Sequence, residues 1–472
     1  MNKKIKAIAI TALILAGTML TGCASGGFDN SNLLRPPRTT GDKAQIQEII
    51  EEKAGGDYTL KYPKDGSYRS AIIDKDLDGD DVNESIVFYK PSGNEEPTRI
   101  LLIKNFGGTW KDIGDYPGGN TDVDKVEIGD ITGNGTLDVI VGWSDKNGSV
   151  CTLSAYIVQE KTTAELKVKD TYNEFMLADM NGDKKQSIML FSLVSESADA
   201  NVKMLQYDDE SKSIFTRSSV AMSNAANQYL NFRFGKATKV TSGIFVDTFG
   251  VSGESETQFI YWDKKSSNLV NPLYVQSDDK TSLNPTIRPS NEAVCTDIDE
   301  NGLTDIPILT LMPHNSNEGT KLVAFQTTWN SYTPSTDTLS PLIETVTNAE
   351  KGYYFIIPDE WKGKVTARNS ISGNSLTFYL WNKTSDNDSN NDSDNENETD
   401  TEYAEGSLGD KLLTIQVFSA QEWTNTKNND YIEVGDYGDI VYTVNIPSET
   451  ENTKGIAMSL NKIPNYLKLT KK

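Results

Sequence analysis

The stretch Asp76-Leu-Asp-Gly-Asp-Asp-Val-Asn-Glu84 is the first of four short segments rich in acidic, amide and glycine residues. The other three begin at Asp130, Asp179 and Asp297 and read DITGNGTLD, DMNGDKKQS and DIDENGLTD. When they are aligned on the first Asp, all four carry an oxygen-bearing side chain at positions 1, 3 and 5, and three carry an acid at position 9. A short apolar, β-branched run follows each segment and predicts a strand.

This spacing suits a hard cation, because a tight loop can turn its odd-numbered side chains inward around Ca²⁺ and add a backbone carbonyl from position 7. The predicted ligands are Asp76, Asp78, Asp80, Val82 and Glu84; Asp130, Thr132, Asn134, Thr136 and Asp138; and Asp297, Asp299, Asn301, Leu303 and Asp305. Asp, Asn and Gly also form ordinary hairpin turns, and that alternative stays open for any single loop. Four loops in one register favour metal binding.

The four loops differ in the charge that they offer to a cation. Thr132 and Asn134 replace carboxylates in the second loop, so we expect weaker binding there than at the first and fourth. In the third loop Ser187 stands where the closing acid should be. Its remaining candidate ligands, Asp179, Asn181 and Asp183, predict an incomplete and weak site.

These loops, set between two strands, resemble the D-x-D-G-D-x-x-x-[DE] signature of FG-GAP and VCBS-type repeats, known from integrin-α-like β-propellers and many secreted bacterial proteins. The resemblance covers about residues 57–345 and implies that each loop joins the two inner strands of one blade. The first Asp residues lie 54 and 49 positions apart, close to one four-stranded blade. The next gap, of 118 positions, suits two blades.

Within that long gap, Gly243–Asp247 and Thr257–Trp262 predict a blade that keeps its strands but has lost its ligands, with Asp247 at the old first position. The predicted fold class is therefore mainly β. We expect an FG-GAP/VCBS-type β-propeller with five recognisable blades, while six or seven stay open.

The first residues predict where the protein resides. Lys3, Lys4 and Lys6 precede an apolar run over 7–19, which is shorter than the ~17–25 residues of a spanning helix and is typical of a secretory signal. Leu20-Thr-Gly-Cys23 resembles the lipobox of bacterial lipoproteins, which implies diacylglycerol on Cys23. We expect a signal peptide at 1–22, a flexible tether at 23–41 and a lipid anchor on the extracytoplasmic face of a cell membrane.

The chain outside the repeats divides into smaller predicted parts. Ile46, Ile49 and Ile50 recur at helical spacing and predict a helix from Asp42 to Lys53 within a capping segment, 42–56. The run 58–62 predicts a strand placed to close the ring with the last blade. Residues 346–472 predict a small α+β domain with a disordered acidic insert at 384–401.

Composition excludes several kinds of chemistry. The only histidine, His314, lies in a predicted loop, so Ser-His-Asp catalysis and HExxH zinc sites lack support. A formal net charge of −23 disfavours nucleic acid as a partner. Cys151 and Cys295 are expected to be buried thiols rather than a disulfide.

Together these features predict a calcium-stabilised, membrane-anchored module that binds a protein or glycan and catalyses no reaction. The alternative is a hydrolase or lyase acting on the cell envelope or on polysaccharide through carboxylates at the propeller funnel. The sequence names no such carboxylate pair.

Overall fold

The computed structural model describes residues 41–93, 97–148, 150–274, 284–384, 405–426 and 430–470. The predicted signal peptide, Cys23, nearly all of the tether and nearly all of the acidic insert lie outside these ranges, so those features stay predictions. Within the described ranges, no helix has both the length and the apolar character needed to cross a membrane.

The described residues are mainly β, and their strands form six antiparallel sheets. Sheet 1 contains β1 (Tyr58–Leu60), β2 (Ile72–Lys75), β3 (Glu84–Pro91), β4 (Arg99–Phe106) and β5 (Thr109–Pro117). Sheet 2 contains β6 (Asp122–Gly129), β7 (Asp138–Ser144), β8 (Cys151–Val158) and β9 (Thr163–Tyr172). Sheet 3 contains β10 (Glu174–Ala178), β11 (Ser187–Ser192), β12 (Asn201–Asp208) and β13 (Ser213–Ala221).

The remaining sheets follow in chain order, with one late addition. Sheet 4 contains β14 (Ala226–Lys236), β15 (Ser242–Gly250), β16 (Ser255–Asp263) and β17 (Asn268–Val270). Sheet 5 contains β18 (Ile306–Leu311), β19 (Phe325–Thr333), β20 (Thr338–Asn348), β21 (Tyr353–Ile356) and, from the end of the chain, β27 (Leu467–Leu469). Sheet 6 contains β22 (Val365–Asn369), β23 (Ser375–Lys383), β24 (Gly406–Ser419), β25 (Ile432–Tyr437) and β26 (Ile440–Asn445). The helices are α1 (Asp42–Ala54), α2 (Ala420–Thr426) and α3 (Ile463–Tyr466).

The middle strands are buried on both faces. Every residue of β7 is buried, whereas the outer strand β5 is exposed at four of its nine positions. Alternate residues of a strand point to opposite faces, so a strand that is apolar at successive positions needs a partner on each side. The first five sheets must therefore stack face to face.

Hydrophobic clusters join each sheet to the next along the chain. Sheet 1 packs on sheet 2 through Phe88 and Trp143, whose ring centroids are 6.1 Å apart. Further clusters join sheet 2 to sheet 3, sheet 3 to sheet 4, and sheet 4 to sheet 5. This serial stacking of four- and five-stranded antiparallel sheets is consistent with a β-propeller.

The two ends of the stack are covered by other elements. The second face of sheet 1, including Val87 and Leu101, packs against Ile46 and Ile50 of α1. At the far end, sheet 5 shares a core with sheet 6, where Phe355 contacts Phe378. Among the described residues, no hydrophobic cluster joins sheet 1 to sheet 5. The helix thus covers the face that the last blade would contact in a closed ring.

The predicted ring-closing strand has a different role. β1 pairs with β3 of its own sheet, with Tyr58 opposite Pro91, while β2 pairs with the first half of β3. Because β3 is eight residues long and β2 covers only four of them, β1 completes the pairing of β3. The prediction that this segment joins the last blade was wrong.

The predicted boundary between residues 345 and 346 falls inside β20. Sheet 5 continues to β21 and then receives β27, with Tyr353 opposite Leu469. The sequence assigns the run at 353–356 to the C-terminal domain, because its alternation of apolar and polar residues would suit either sheet. Only long-range pairing assigns it to sheet 5.

Sheet 4 contains the two strands predicted for the degenerate blade, but not the predicted loop. Asp247 lies inside β15, fully buried, and its Oδ1 is 2.9 Å from Nη2 of Arg288. The segment that matches the acidic loops of the other sheets is 237–241, which joins β14 to β15 and contains no acid. The assignment of Asp247 to a former metal loop was therefore wrong.

The cysteine prediction was right. Cys151 and Cys295 are both buried free thiols, and burial raises the pKa of each. Cys295 precedes the isolated bridge at Thr296, and its backbone N–H donates to Asp247 Oδ2 at 2.7 Å. His314 lies between β18 and β19, with Nδ1 3.0 Å from the Met312 carbonyl oxygen.

Candidate metal centre

The four acidic loops occupy equivalent places in their sheets. Those beginning at Asp76, Asp130 and Asp179 join β2 to β3, β6 to β7 and β10 to β11. The loop beginning at Asp297 leads into β18 of sheet 5 and is closed by the bridge between Thr296 and Asp305. We call them loops 76, 130, 179 and 297.

A common hydrogen-bond pattern shapes all four loops. The first Asp accepts two backbone N–H groups in each: from Gly79 and Asp81, Gly133 and Gly135, Gly182 and Lys184, and Asn301 and Gly302. The N–H of position 7 donates to the side-chain oxygen of position 5 at 2.7–2.8 Å in all four. The predicted register is therefore present, and positions 1 and 5 shape the turn by themselves.

Loops 297 and 76 both contain buried carboxylate oxygens with no hydrogen-bond donor, but of the two, among the described residues, only the acids of loop 76 form an ion pair with a lysine. Ligand atoms of Asp297, Asp299 and Asp305 lie within 4.8 Å of one another. Asp305 is fully buried; its Oδ2 accepts the N–H of Ile298 at 3.0 Å, but its Oδ1 has no hydrogen-bond partner in the described structure. Burial, with help from the two neighbouring acids, raises the pKa of Asp305 to about 6. Since a buried unpaired carboxylate is costly, this group fits a divalent cation.

Loop 76 gathers three acids in the same way but also contains a cation from the chain itself. Asp76, Asp78 and Glu84 approach one another within 4.8 Å. The ammonium of Lys104, a buried residue of β4, hydrogen-bonds to Asp78 and lies 3.6 Å from Glu84 Oε1. Burial lowers the pKa of Lys104, but these carboxylates outweigh it and keep the group charged. The sequence predicts equal calcium sites in loops 76 and 297, and the structure differs between them in that Lys104 is ion-paired with the acids of loop 76.

Strand register explains this difference. Ser85 pairs with Ile103, so Lys104 lies opposite position 9 of loop 76. The same pairing places Ile157 opposite position 9 in sheet 2, Gln206 in sheet 3 and Ser331 in sheet 5. In each sheet, the strand that pairs with the one following the loop thus decides what faces the closing residue.

Loops 130 and 179 do not assemble three carboxylates. Asp138 is buried, and its two oxygens accept the N–H groups of Ile131 and Val158, both at 3.2 Å. Burial raises the pKa of Asp138 to about 7. In loop 179 the amide of Gln206 donates to Ser187 at 3.3 Å and to Asp183 at 3.4 Å. Both loops form their turns without a metal ion, and the side-chain oxygens of Asp138, Ser187 and Asp183 already accept hydrogen bonds from the protein.

The structure also brings together a carboxylate pair that the sequence could not name. Lys125 Nζ on β6 lies 3.3 Å from Glu127 Oε1 and 2.7 Å from Glu174 Oε1 on β10. Burial raises the pKa of Glu127 while Lys125 opposes the rise. The two acids come from different sheets and follow no motif, so only the stacking of sheets 2 and 3 shows that they are close.

Comparisons with known proteins do not assign this chain to a family. No model of a protein family matches the chain, and no curated protein matches it. Solved structures that resemble it include an exo-β-1,3-galactanase from Phanerochaete chrysosporium with β-1,3-galactotriose (8% identity, 69% of this chain and 77% of that chain, TM-score 0.28). A second is the exotype rhamnogalacturonan lyase YesX (11% identity, 68% of this chain and 71% of that chain, TM-score 0.29). A third is Sqt1 from Saccharomyces cerevisiae (10% identity, 80% of this chain and 98% of that chain, TM-score 0.30). TM-scores this low support no inference about activity or ligand.

A substitution tests whether the residue opposite the closing acid controls calcium binding. Replacing Lys104 by Ser, the residue at the matching position 331, should raise the calcium stoichiometry by about one ion per chain, because three carboxylates lose their internal cation. Isothermal titration calorimetry measures the change. Lys111→Ser, at an exposed lysine of β5 opposite Lys104, should leave the stoichiometry unchanged. An unchanged stoichiometry in Lys104→Ser would show that the ammonium does not block loop 76.

The raised pKa of Asp305 predicts how pH affects calcium stabilisation. A carboxyl group with a raised pKa stabilises the metal-free fold below about pH 4, and this contribution is lost as the pH rises through about 6. Calcium requires the deprotonated group. The melting temperature in calcium should therefore exceed that in EDTA by almost nothing at about pH 5 and by a measurable amount at about pH 7.5. An equal difference at both pH values would contradict the role of Asp305.

Proposed function

We propose that the protein is an extracytoplasmic, lipid-anchored lipoprotein whose FG-GAP/VCBS-type β-propeller is stabilised by calcium and binds a protein or glycan without catalysis. The observation that carries the metal part of the proposal is the unpartnered, fully buried Oδ1 of Asp305 inside the acidic group of loop 297. The predicted signal peptide and the segment that resembles a lipobox support the proposed lipid anchor.

Calcium is the cation that this donor set favours. The side chains and carbonyl that would hold it are Asp297, Asp299, Asn301, Leu303 and Asp305, all of which offer oxygen. Oxygen-only ligand sets select hard cations over zinc or copper. Extracellular modules bind Ca²⁺ with Kd of about 10⁻⁴ to 10⁻³ M, so about 2 mM calcium adds about 1 kcal/mol of stability at one site.

The position of loop 297 in the fold supports a structural role for the cation. The segment before it is tied to sheet 4 by Arg288, whose buried guanidinium pairs with Asp247, and by Cys295, whose N–H donates to the same carboxylate. The residues after it begin β18 of sheet 5. A cation in the loop would stabilise the connection between two stacked sheets.

A second candidate function, glycoside hydrolysis, draws on Glu127 and Glu174. Such enzymes need one carboxyl group that donates a proton and one that acts as nucleophile or base, both open to the substrate. Here one ammonium, that of Lys125, contacts both carboxylates and also donates to the Phe175 carbonyl oxygen at 2.8 Å. This arrangement is that of a structural ion pair, which favours binding over hydrolysis.

Retention and turnover distinguish the two functions. The chain without its first 23 residues is incubated with cell-envelope fractions and with polysaccharides, in calcium and in EDTA. We expect retention without product formation, and a melting temperature about 2 °C higher in calcium. Asp297→Asn with Asp299→Asn should remove the calcium response, whereas the matched pair Asp179→Asn with Asp183→Asn should keep it. Release of oligosaccharide would instead support the hydrolase, and no retention on any fraction would contradict the binding module.

The anchor has its own test. Cys23→Ser should move the protein from the membrane pellet to the soluble fraction without changing its melting temperature, because the thiolate is the nucleophile suited to thioether formation. Fractionation of cells expressing each form measures the shift. A Cys23→Ser protein that stays in the pellet would show that the lipid is not the anchor.

A further inference from the structure

A cavity of about 400 Å³ lies where sheet 5 meets sheet 6. The end of β18, the start of β19 and the end of β20 supply one wall, and β22 and β23 supply another through Asn369 and Leu376. Residues from the segments 289–292 and 320–324 complete the lining, which includes no residue of the acidic loops. The volume lies within the roughly 300–1,000 Å³ of small-molecule sites. The cavity is therefore a candidate binding site separate from the metal centre.

Two opposite charges line this cavity without neutralising each other. Glu292 and Lys321 are both lining residues and both exposed to solvent. Within the part of the chain that the structure describes, neither side chain has a hydrogen-bond or ion-pair partner. Opposite charges that stay apart in one site complement a ligand that carries both signs of charge.

The position of Glu292 is fixed by its neighbour in the chain. Ala293 is buried in one cluster with Leu309 and Trp329, which holds the backbone at this point. Glu292 itself is exposed, yet the surrounding protein raises the pKa of its carboxyl group by desolvation. A carboxylate that faces an open recess has both properties. A ligand in the cavity can therefore reach this group.

The segment that contains Lys321 is anchored at both of its ends. Before it, the carboxylate of Glu318 accepts two hydrogen bonds from the guanidinium of Arg368, at 2.8 and 2.9 Å. After it, the N–H of Ala324 donates to the Ala367 carbonyl oxygen at 3.1 Å. A preformed wall lowers the ordering cost of binding a small ligand.

The rest of the lining combines apolar surface with one amide. Leu311 and Phe325 are half-buried, so part of each side chain is open to the cavity. Asn369 is also half-buried, and its side chain has no hydrogen-bond partner among the described residues. An amide group both donates and accepts, as a peptide group does. This lining suits a ligand with apolar side chains and a peptide group.

The separation of the two charges favours a ligand longer than a free amino acid. Desolvation is the cause of the raised pKa of Glu292, and no neighbouring charge, that of Lys321 included, contributes to it. The two charged groups therefore do not lie side by side. In a free amino acid the ammonium and carboxylate share one carbon atom, whereas each residue of an extended peptide adds about 3.3–3.6 Å.

We propose that this cavity binds an apolar peptide of two or three residues, whose terminal ammonium pairs with Glu292 and whose terminal carboxylate pairs with Lys321. Its side chains contact Leu311 and Phe325, and its peptide group bonds to Asn369. The inference goes beyond the proposed function, because it concerns a small ligand and a site that needs no calcium.

The test is a set of calorimetric titrations at millimolar ligand, using the chain without its first 23 residues, which keeps every described residue. Leucyl-leucine should bind the unmodified chain. Its N-acetyl derivative, which lacks the ammonium, and its amide, which lacks the carboxylate, should each bind about fivefold more weakly, the upper range for an ion pair open to water. Free leucine and glycyl-glycine should bind more weakly than leucyl-leucine.

Two variants assign each charge to its partner. Glu292→Gln should weaken leucyl-leucine about fivefold and leave the affinity for the N-acetyl derivative unchanged, because the ion pair is already absent there. Lys321→Gln should behave in the same way toward the amide. Neither variant should lower the melting temperature, since neither side chain has a partner in the protein. The control variants Glu196→Gln and Lys239→Gln, at exposed positions outside the cavity, should bind all ligands as the unmodified chain does.

The other outcomes overturn the assignment. If leucyl-leucine does not bind, the peptide site is wrong, while retention on envelope fractions still decides the proposed function separately. Equal weakening of leucyl-leucine and its N-acetyl derivative by Glu292→Gln would show that this carboxylate does not bind the ammonium. Free leucine that binds as tightly as leucyl-leucine would contradict the length of the ligand.

Discussion

The rest of the structure depends on the two-sided burial of the middle strands. β7 is buried at every position, so its sheet cannot exist with either face in water. Each sheet must therefore pack between two neighbours, and the first and last sheets need other partners. α1 meets that need for sheet 1 through Ile46 and Ile50, and sheet 6 meets it for sheet 5.

Stacking of this kind gives the acidic loops equivalent surroundings, and small differences then decide their chemistry. All four loops form the same turn by the same backbone hydrogen bonds, so the turn itself says nothing about metal binding. The residue opposite the closing position differs between the loops: Lys104 supplies an internal cation, Gln206 supplies an amide, and Ser331 donates to the Ser340 carbonyl oxygen and not to Asp305. We expect this register position to influence which loop binds a metal ion.

Local features of this fold followed from the sequence, and non-local ones did not. The acidic loops, the strands that follow them, α1 and both buried thiols could be predicted because adjacent residues determine them. The role of Lys104 could not, since it lies 20 residues beyond Glu84 and meets it only through the β3–β4 register. The same holds for β27, whose pairing with β21 spans more than a hundred residues, and for Glu127 and Glu174, which meet across two sheets.

Crystals grown with terbium in place of calcium provide the most direct test of the claim that strand register selects the metal site. Anomalous scattering should show a peak among Asp297, Asp299 and Asp305, and none among Asp76, Asp78 and Glu84, where the density should instead contain the Lys104 ammonium. Terbium is a hard cation that takes the oxygen ligands calcium prefers. A peak in loop 76 with Lys104 displaced, or no peak in loop 297, would contradict the account.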